Sequence, residues 1–411
     1  MDSERSDVET TPLLVIGASW CPDCRRAKTF LGDHHVPYEW IDLDQQPEHR
    51  ARVEELNGGA RVIPTIIFPD GSHLAEPSND QLADKIGLVR VARERSYDVV
   101  VVGGGPAGLT AALYLAREGA TTLVVERSAV GGQVAITERL DNYPGFPDGI
   151  AGQDLATRMR QQAERAGVEI LEAVAVSAVA AREDGDLDVV TPTATYRARA
   201  VVVATGSTYR RTGAEGEADL IGAGVHFCAT CDGPFYRGAP EVVVVGGGNS
   251  GLEEGLYLTQ FAEHVTVVEA APALTASRRA QDQVAAHPAM DTLTSTAVAA
   301  FEGDTSGKLT AVVLEDRGSG ERRRHPASAA FVFIGLDPNT EVLRGQVDLD
   351  DAGFIVSDDR LATTVPGVFV AGDVRHGSTK QLAAATGEGA TVALAVRHHL
   401  GRVASAVVAG S

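Results

Sequence analysis

"YDVVVVGGGPAG" (Tyr97–Gly108) and "PEVVVVGGGNSG" (Pro240–Gly251) decide the fold. Each reads as a buried apolar strand, a glycine turn and the start of a helix. In Gly103-x-Gly105-x-x-Gly108 and Gly246-x-Gly248-x-x-Gly251 the first glycine makes the tight turn. The second lets backbone approach a pyrophosphate, and the third lets helix and strand pack closely. Pro106 and Ala107 open the first helix, Asn249 and Ser250 the second. Each copy is followed by a strand ending in an acid: "TTLVVER" supplies Glu126 and "VTVVEA" supplies Glu269. A carboxylate there accepts hydrogen bonds from adenosine ribose hydroxyls and repels a 2′-phosphate. Two dinucleotide-binding units are therefore expected. "FIGLDPNT" (Phe333–Thr340) and "GVFVAGDV" (Gly367–Val374) look like the tail of the first unit, so the second is inserted in it.

Glu269 is followed by "AAPALTAS", with no Arg or Lys before Arg278. A 2′-phosphate pocket needs a basic fork, so the inserted unit is read as an NAD site rather than an NADP site. The competing reading has Arg278 and Arg279 fold back to serve.

Upstream, residues 12–88 alternate strand and helix signals in the order βαβαββα, a thioredoxin-like unit. "LLVIGAS" is a strand, and Pro22 sits in the first turn of the next helix. "PEHRARVEELNGG" reads as a helix from Pro47, and Ser78 with Gln81 form a capping box. "VRVARERS" (89–96) reads as a linker spanning at most about 25–30 Å, so the first unit is expected to be tethered but free to swing. The fold class is α/β: a thioredoxin-like domain, then two Rossmann-like dinucleotide-binding domains, the second inserted in the first.

The 411 residues carry a formal net charge of −20. Such a surface repels phosphate backbones, which argues against nucleic acid and anionic membranes as partners. The first twelve residues are polar and charged, residues 1–11 read as a disordered tail, and no apolar run is long enough to span a bilayer. A cytoplasmic protein is expected. All four cysteines fall in two CxxC pairs, Cys21/Cys24 and Cys228/Cys231. In a reducing compartment such pairs are redox-active or metal-binding rather than structural staples. Zinc needs two further ligands; His34 and His35 keep that option open for the first pair, and no metal is the preferred reading. Cys21 at a helix N-terminus is the expected attacking thiolate, with Cys24 resolving.

From Tyr97 to about Leu400 the chain resembles low-molecular-weight thioredoxin reductases, through "GGGPAGLTAALYLAREG", "GGQVAITERLDNYPGF", "VVVATGS", "CATCDGPFY", "GGGNSGLEEGLYL" and "GVFVAGDVRHGSTKQLAAATGEGA". The resemblance implies FAD in residues 97–212 and 335–405 and the nicotinamide nucleotide in 213–334. It places Gly132, Gln133, Asn142, Thr205, Gly206, Gly372, Asp373, Lys380 and Gln381 around the flavin. It makes Cys231 the flavin-side sulfur, Cys228 the interchange thiol and Asp232 the acid–base group; the alternative for Asp232 is a helix or turn cap. Where those reductases carry His-Arg-Arg, this chain has Glu269-Ala270-Ala271, closer to the flavoprotein subunit of alkyl hydroperoxide reductase, which uses NADH. Residues 12–88 resemble glutaredoxins, and among them mycoredoxins, through "WCPDCRRAKTFL" and "ARVIPTIIFPDGSHL", with Pro64 facing the dithiol.

Together these imply a relay from NADH (NADPH less favoured) through FAD and Cys228/Cys231 to Cys21/Cys24. The acceptor would be a mixed disulfide of a small thiol, a thioredoxin-like protein or a peroxiredoxin. Domain rotation is expected near Thr212–Gly213 and Gly335, in a homodimer. Two other readings compete: a flavin dithiol oxidase passing electrons to oxygen, and a non-enzymatic redox sensor. His226 either influences a thiolate or packs among aromatics. Arg322–Arg324 reads as a solvated strand end.

Overall fold

The computed structural model describes residues 13–409, apart from 35, 136, 138 and 141. The expected tail, residues 1–11, and the candidate ligand His35 lie outside the described residues.

The first unit runs β1 (Leu13–Gly17), α1 (Pro22–Asp33), β2 (Tyr38–Asp42), α2 (Arg50–Leu56), β3 (Thr65–Ile67), β4 (His73–Ala75) and α3 (Asn79–Lys85). Its sheet has the order β2-β1-β3-β4, with β1 parallel to β2 and antiparallel to β3. Val15, Leu31, Ile66 and Leu82 are fully buried between sheet and helices. The helix expected from Pro47 starts as a single 3-10 turn, Pro47–His49, and becomes α-helical at Arg50. Ser78 and Gln81 make both bonds of the capping box at α3.

The linker is hydrogen-bonded to the unit that follows it. The Ala92 N–H donates to the Tyr196 hydroxyl at 3.1 Å and the Arg93 N–H to Glu169 at 2.9 Å. The Glu94 N–H donates to the Tyr97 hydroxyl, and the carbonyls of Val89, Arg90 and Arg95 accept from Glu172, Thr193 and Arg197. Ala92 is buried in the core of the next unit. Arg90 reaches back to Asp80 and Asp84 at the two ends of α3. A reach argument counts only length; here the backbone N–H and C=O groups find partners, and a bonded segment is not a loose tether. At the far end of α1, Asp33 accepts a bond from Ser128.

The next sheet begins with β5 (Ser96–Val102), which leads into α4 (Pro106–Arg117), and continues with β6 (Thr122–Val125), α5 (Gly152–Arg165), β7 (Glu169–Leu171), β8 (Ala178–Ala181), β9 (Leu187–Val190) and β10 (Thr195–Val203). Parallel strands β7-β6-β5-β10 are continued by antiparallel β9 and β8. Val99, Val100, Val101, Val201, Val202 and Val203 are all fully buried, as strands covered on both faces require. The chain leaves through β11 (Ser207–Tyr209). The inserted unit holds β12 (Val225–His226), α6 (Ala229–Asp232), β13 (Val242–Val245), α7 (Asn249–Leu258), β14 (Val265–Val268), α8 (Arg278–Ala285), β15 (Met290–Leu293), an antiparallel trio β16 (Thr296–Gly303), β17 (Leu309–Asp316) and β18 (Arg322–Pro326), and β19 (Ala329–Val332). Its parallel sheet has the order β12-β19-β13-β14-β15. The chain returns through β20 (Leu336–Pro338), which pairs with β11. It completes the first sheet with β21 (Val368–Val370), parallel to β10, and ends in α9 (Leu382–Ala409). The insertion read from the sequence is thus observed. Arg322 and Arg324 pair with Glu315 and Glu302 on the exposed edge strand β18, a solvated strand end. Among the described residues, no helix is long and apolar enough to cross a membrane.

Candidate active site

The two glycine turns are built alike. Gly103 and Gly246 take φ of +109° and +120°, a region that suits glycine. The Gly104 N–H donates to Glu126 Oε2 and the Gly247 N–H to Glu269 Oε2, both at 2.6 Å. The other carboxylate oxygens accept from Ser128 at 2.8 Å and Ala271 at 2.7 Å. A Cβ on Gly108 or Gly251 would strike the carbonyl of Gly103 or Gly246, so each helix lies directly on its turn. Gly105 and Gly248 sit at the N-caps of α4 and α7 with no side-chain cap, leaving first-turn N–H groups for an anion. Around Gly105 a Cβ would meet nothing within 4 Å. Bare backbone, uncapped helix starts and a ribose-side carboxylate fit a dinucleotide at each turn.

One cleft gathers most of the expected flavin-side residues. Gly105, Pro106, Ala107, Glu126, Gly132, Gln133, Asn142, Thr205, Gly206, Gly372, Asp373, Lys380 and Gln381 line it, together with Cys228, Cys231 and Asp232. It has about 1410 Å³ of space counting its open mouth. Gly103 and Gly108 are buried behind it. Burial pushes the Glu126 and Asp373 carboxyls up and the Lys380 ammonium down. The Lys380 ammonium donates to the Asp373 carbonyl at 2.6 Å and lies 4.0 Å from the centre of the Phe354 ring. Gly246, Gly248, Asn249, Ser250, Gly251 and Glu269 lie outside this cleft, at the turn after β13 and the end of β14. There Thr275 and Ala276 donate to the Gly247 carbonyl and Ser277 to Asn249, folding the next loop over the turn. Arg278 does not fold back: it is 87% exposed and pairs with Asp282 along α8.

Cys228 and Cys231 form a disulfide at the start of α6. Cys228 is the N-cap, and its sulfur accepts from the Cys231 N–H at 3.2 Å. Asn142 Nδ2 lies 3.8 Å from the Cys231 sulfur and 3.5 Å from Gln381 Oε1. Asp232 ends α6 and does not cap it; its Oδ2 faces His226 Nδ1 at 3.5 Å. His226 packs among aromatics, against Tyr236 and Phe331, and its Nδ1 faces Asp232.

Cys21 and Cys24 are free thiols in the same local geometry. Cys21 caps α1, and its sulfur accepts from the Cys24 N–H at 3.1 Å. Burial and the Cys21 thiol push Cys24 up to about 12. A Cβ on Gly17 would meet the Cys24 sulfur at 2.5 Å, so only glycine fits beneath it. Cys21 also points at the Ile63 carbonyl, 3.9 Å away, next to cis Pro64.

Several groups in or next to the cleft escaped the sequence reading. Glu388 on α9 accepts from the Gly372 N–H at 2.7 Å and pairs with Arg375 at 2.6 Å, fixing the Gly372–Asp373 loop. Asn339 donates to the Thr205 carbonyl at 2.8 Å and accepts through its own carbonyl from the Thr205 hydroxyl. Burial pushes the Tyr209 phenol up to about 12. Glu388 and Asn339 lie inside "ATGEGA" and "DPNT", where an acid or amide among small residues was the available signal.

Comparison with known proteins agrees with this architecture. Residues 97–389 match the model for pyridine nucleotide-disulphide oxidoreductases. The chain belongs to that family. Residues 4–74 match the glutaredoxin model, so a glutaredoxin domain is fused in front. The thioredoxin reductase of Streptomyces clavuligerus is 42% identical over 311 residues, 75% of this chain and 95% of the relative. That of Listeria monocytogenes is 40% identical over 298 residues, covering 72% and 92%. The thioredoxin reductase structure from Streptococcus pyogenes superposes with a TM-score of 0.72 at 37% identity, covering 75% of this chain and 99% of that one. The Lactococcus lactis enzyme in an FR conformation, at 34% identity and 74% and 99% coverage, scores 0.51. This pyridine nucleotide-disulphide oxidoreductase is thus an FAD-dependent disulfide reductase related to thioredoxin reductases.

Proposed function

We propose that the chain is an NADH-preferring reductase whose electrons leave through its own glutaredoxin dithiol. The supporting observation is the Cys228–Cys231 disulfide inside the cleft of the first glycine turn, with Cys231 beside Asn142. FAD, when bound, supplies the two-electron carrier between the nicotinamide nucleotide and that disulfide. Residues 97–212 and 335–405 hold it, with Glu126 orienting the ribose and the α4 N-terminus taking the pyrophosphate. Residues 213–334 hold the nicotinamide nucleotide, where Glu269 and the outward-turned Arg278 favour NADH. Asn142 and Gln381 position the inner pair. Cys228 attacks the Cys21–Cys24 disulfide, Asp232 manages its proton, and Cys21 then attacks the external disulfide while Cys24 resolves it.

The inner pair must leave the cleft to reach the outer one. Rotation about the β11–β20 ribbon supplies that movement, with Gly213 and Gly335 at positive φ beside it. The drop in TM-score between relatives of nearly equal identity and coverage supports two orientations. The acceptor is a mixed disulfide of a small thiol, a thioredoxin-like protein or a peroxiredoxin, met in the cytoplasm by a homodimer. Anaerobic titration of flavin absorbance tests the reading. NADH should bleach it with roughly tenfold or greater advantage over NADPH; an NADPH preference refutes the role of Glu269, and bleaching by neither refutes the relay.

A further inference from the structure

His226 has no part in the relay as stated, yet its surroundings are built. It lies on β12, 6% exposed, one residue before Phe227 and two before Cys228. Its Nδ1 faces Asp232 Oδ2 at 3.5 Å, and its Nε2 and the Tyr236 hydroxyl are 2.6 Å apart. The ring centre is 5.2 Å from that of Phe331, which is fully buried on β19, and 5.3 Å from that of Tyr236, edge-on. Nε2 is hydrogen-bonded, Nδ1 is turned towards Asp232, and the ring is held from two sides. With the Tyr236 hydroxyl donating to Nε2, the ring hydrogen sits on Nδ1, on the side of Asp232.

We infer that His226 is a positioning residue for proton delivery to the inner dithiol. This rests on Cys228–Cys231 being the flavin-side couple. Opening that bond consumes two electrons and two protons and leaves two thiols. Hydride from the nicotinamide nucleotide accounts for both electrons and one proton; the second proton comes from solvent. Asp232, next to Cys231 in the chain, hands it to the Cys228 thiolate and becomes a carboxylate. His226 Nδ1–H stabilises and aims that carboxylate, and the Tyr236 hydroxyl fixes the tautomer. His226 faces Asp232 at the end of α6 and Tyr236 from the following turn, and Tyr209 on β11 feels Asp373, Asp232 and Glu254. Phe331 brings no charge from β19.

The test uses full-length protein carrying Cys21→Ser and Cys24→Ser, reduced with dithiothreitol. Iodoacetamide labelling of Cys228 is followed by peptide mass against pH. In His226→Phe the Asp232 carboxylate loses its donor and opposes the thiolate, so the labelling midpoint rises by about 0.5 pH unit or more. His226→Asn presents an amide N–H near the Nδ1 position and keeps the midpoint within about 0.2 unit of the parent. Tyr236→Phe, which keeps the ring packing, moves it in the same direction by about half as much. A phenylalanine profile that overlays the parent, or an asparagine profile displaced as far as phenylalanine's, overturns the inference; should His226→Phe not fold, an unmoved Tyr236→Phe midpoint does so. Chemical reduction separates the two claims: a failed relay leaves this titration intact, and a failed role for His226 leaves NADH bleaching intact.

Discussion

The two dithiols share one local construction and differ in everything around it. In both, the first cysteine caps a helix and its sulfur accepts from the N–H of the second, at 3.1 Å and 3.2 Å. The inner pair is half-buried, bonded, and next to an amide, a carboxylate and an imidazole. The outer pair is buried as free thiols, with Gly17 against Cys24 and Trp20, 67% exposed, beside Cys21. The CxxC turn makes a sulfur pair able to exchange; the surroundings decide from where it takes electrons and where it sends them.

The two dithiols separate most directly at their sulfurs. Cys228→Ser and Cys21→Ser should each cut NADH-dependent reduction of an external disulfide by about a thousandfold or more. They should stop it at different stations. In Cys228→Ser the flavin bleaches while Cys21–Cys24 stays oxidised, and in Cys21→Ser the inner pair is still reduced. Thiol mapping by mass after one anaerobic turnover distinguishes these, and normal reduction of Cys21–Cys24 in Cys228→Ser would end the relay. A smaller effect concerns the outer pair alone. A thiol pushed up to about 12 keeps its proton through neutral pH and loses it only as pH nears that value. At pH 8, labelling at Cys24 should therefore be at least about a hundredfold slower than at Cys21 and should rise steeply towards pH 11; equal rates at pH 8 would contradict the burial argument.

How far these differences could be read from the sequence depends on their range. Repeats of glycine and apolar residues reported the two glycine units, the insertion and the acids Glu126 and Glu269, because strand, turn and helix start are local patterns. The gathering of Asn142, Gln381 and Cys231 came only through family resemblance, since they lie 89 and 239 residues apart along the chain. Glu388 was missed because its role is to accept from Gly372 and Arg375 on another element, and Tyr209 because its role arises from burial. The bonds of the linker were hidden for the same reason: "VRVARERS" looks solvated, and its bonds to Tyr196 and Glu169 are long-range.

Two gentler changes sharpen the contrast between fixed and exchangeable parts. Glu269→Lys should move the NADPH-to-NADH efficiency ratio upwards by about tenfold, read from initial rates of flavin reduction. It should leave the thiol chemistry untouched; an unchanged ratio would free Glu269 of its ribose role. Tyr196→Phe removes the acceptor for the Ala92 N–H and should cost about 1 kcal/mol in urea unfolding. Amide exchange should quicken around residues 90–95; exchange that does not change there would mean the linker is held without it.

That bonded linker alters the arithmetic of intramolecular delivery. A flexible tether gives its cargo a smeared effective concentration that falls gradually with length. A segment stitched to its host gives no such average: each target is either within the arc of the inserted unit or out of reach altogether. In the proposed relay, electron delivery to the outer dithiol is then a matter of geometry rather than of search time. In that relay, loosening Ala92 would turn a fixed outlet into a diffusing one.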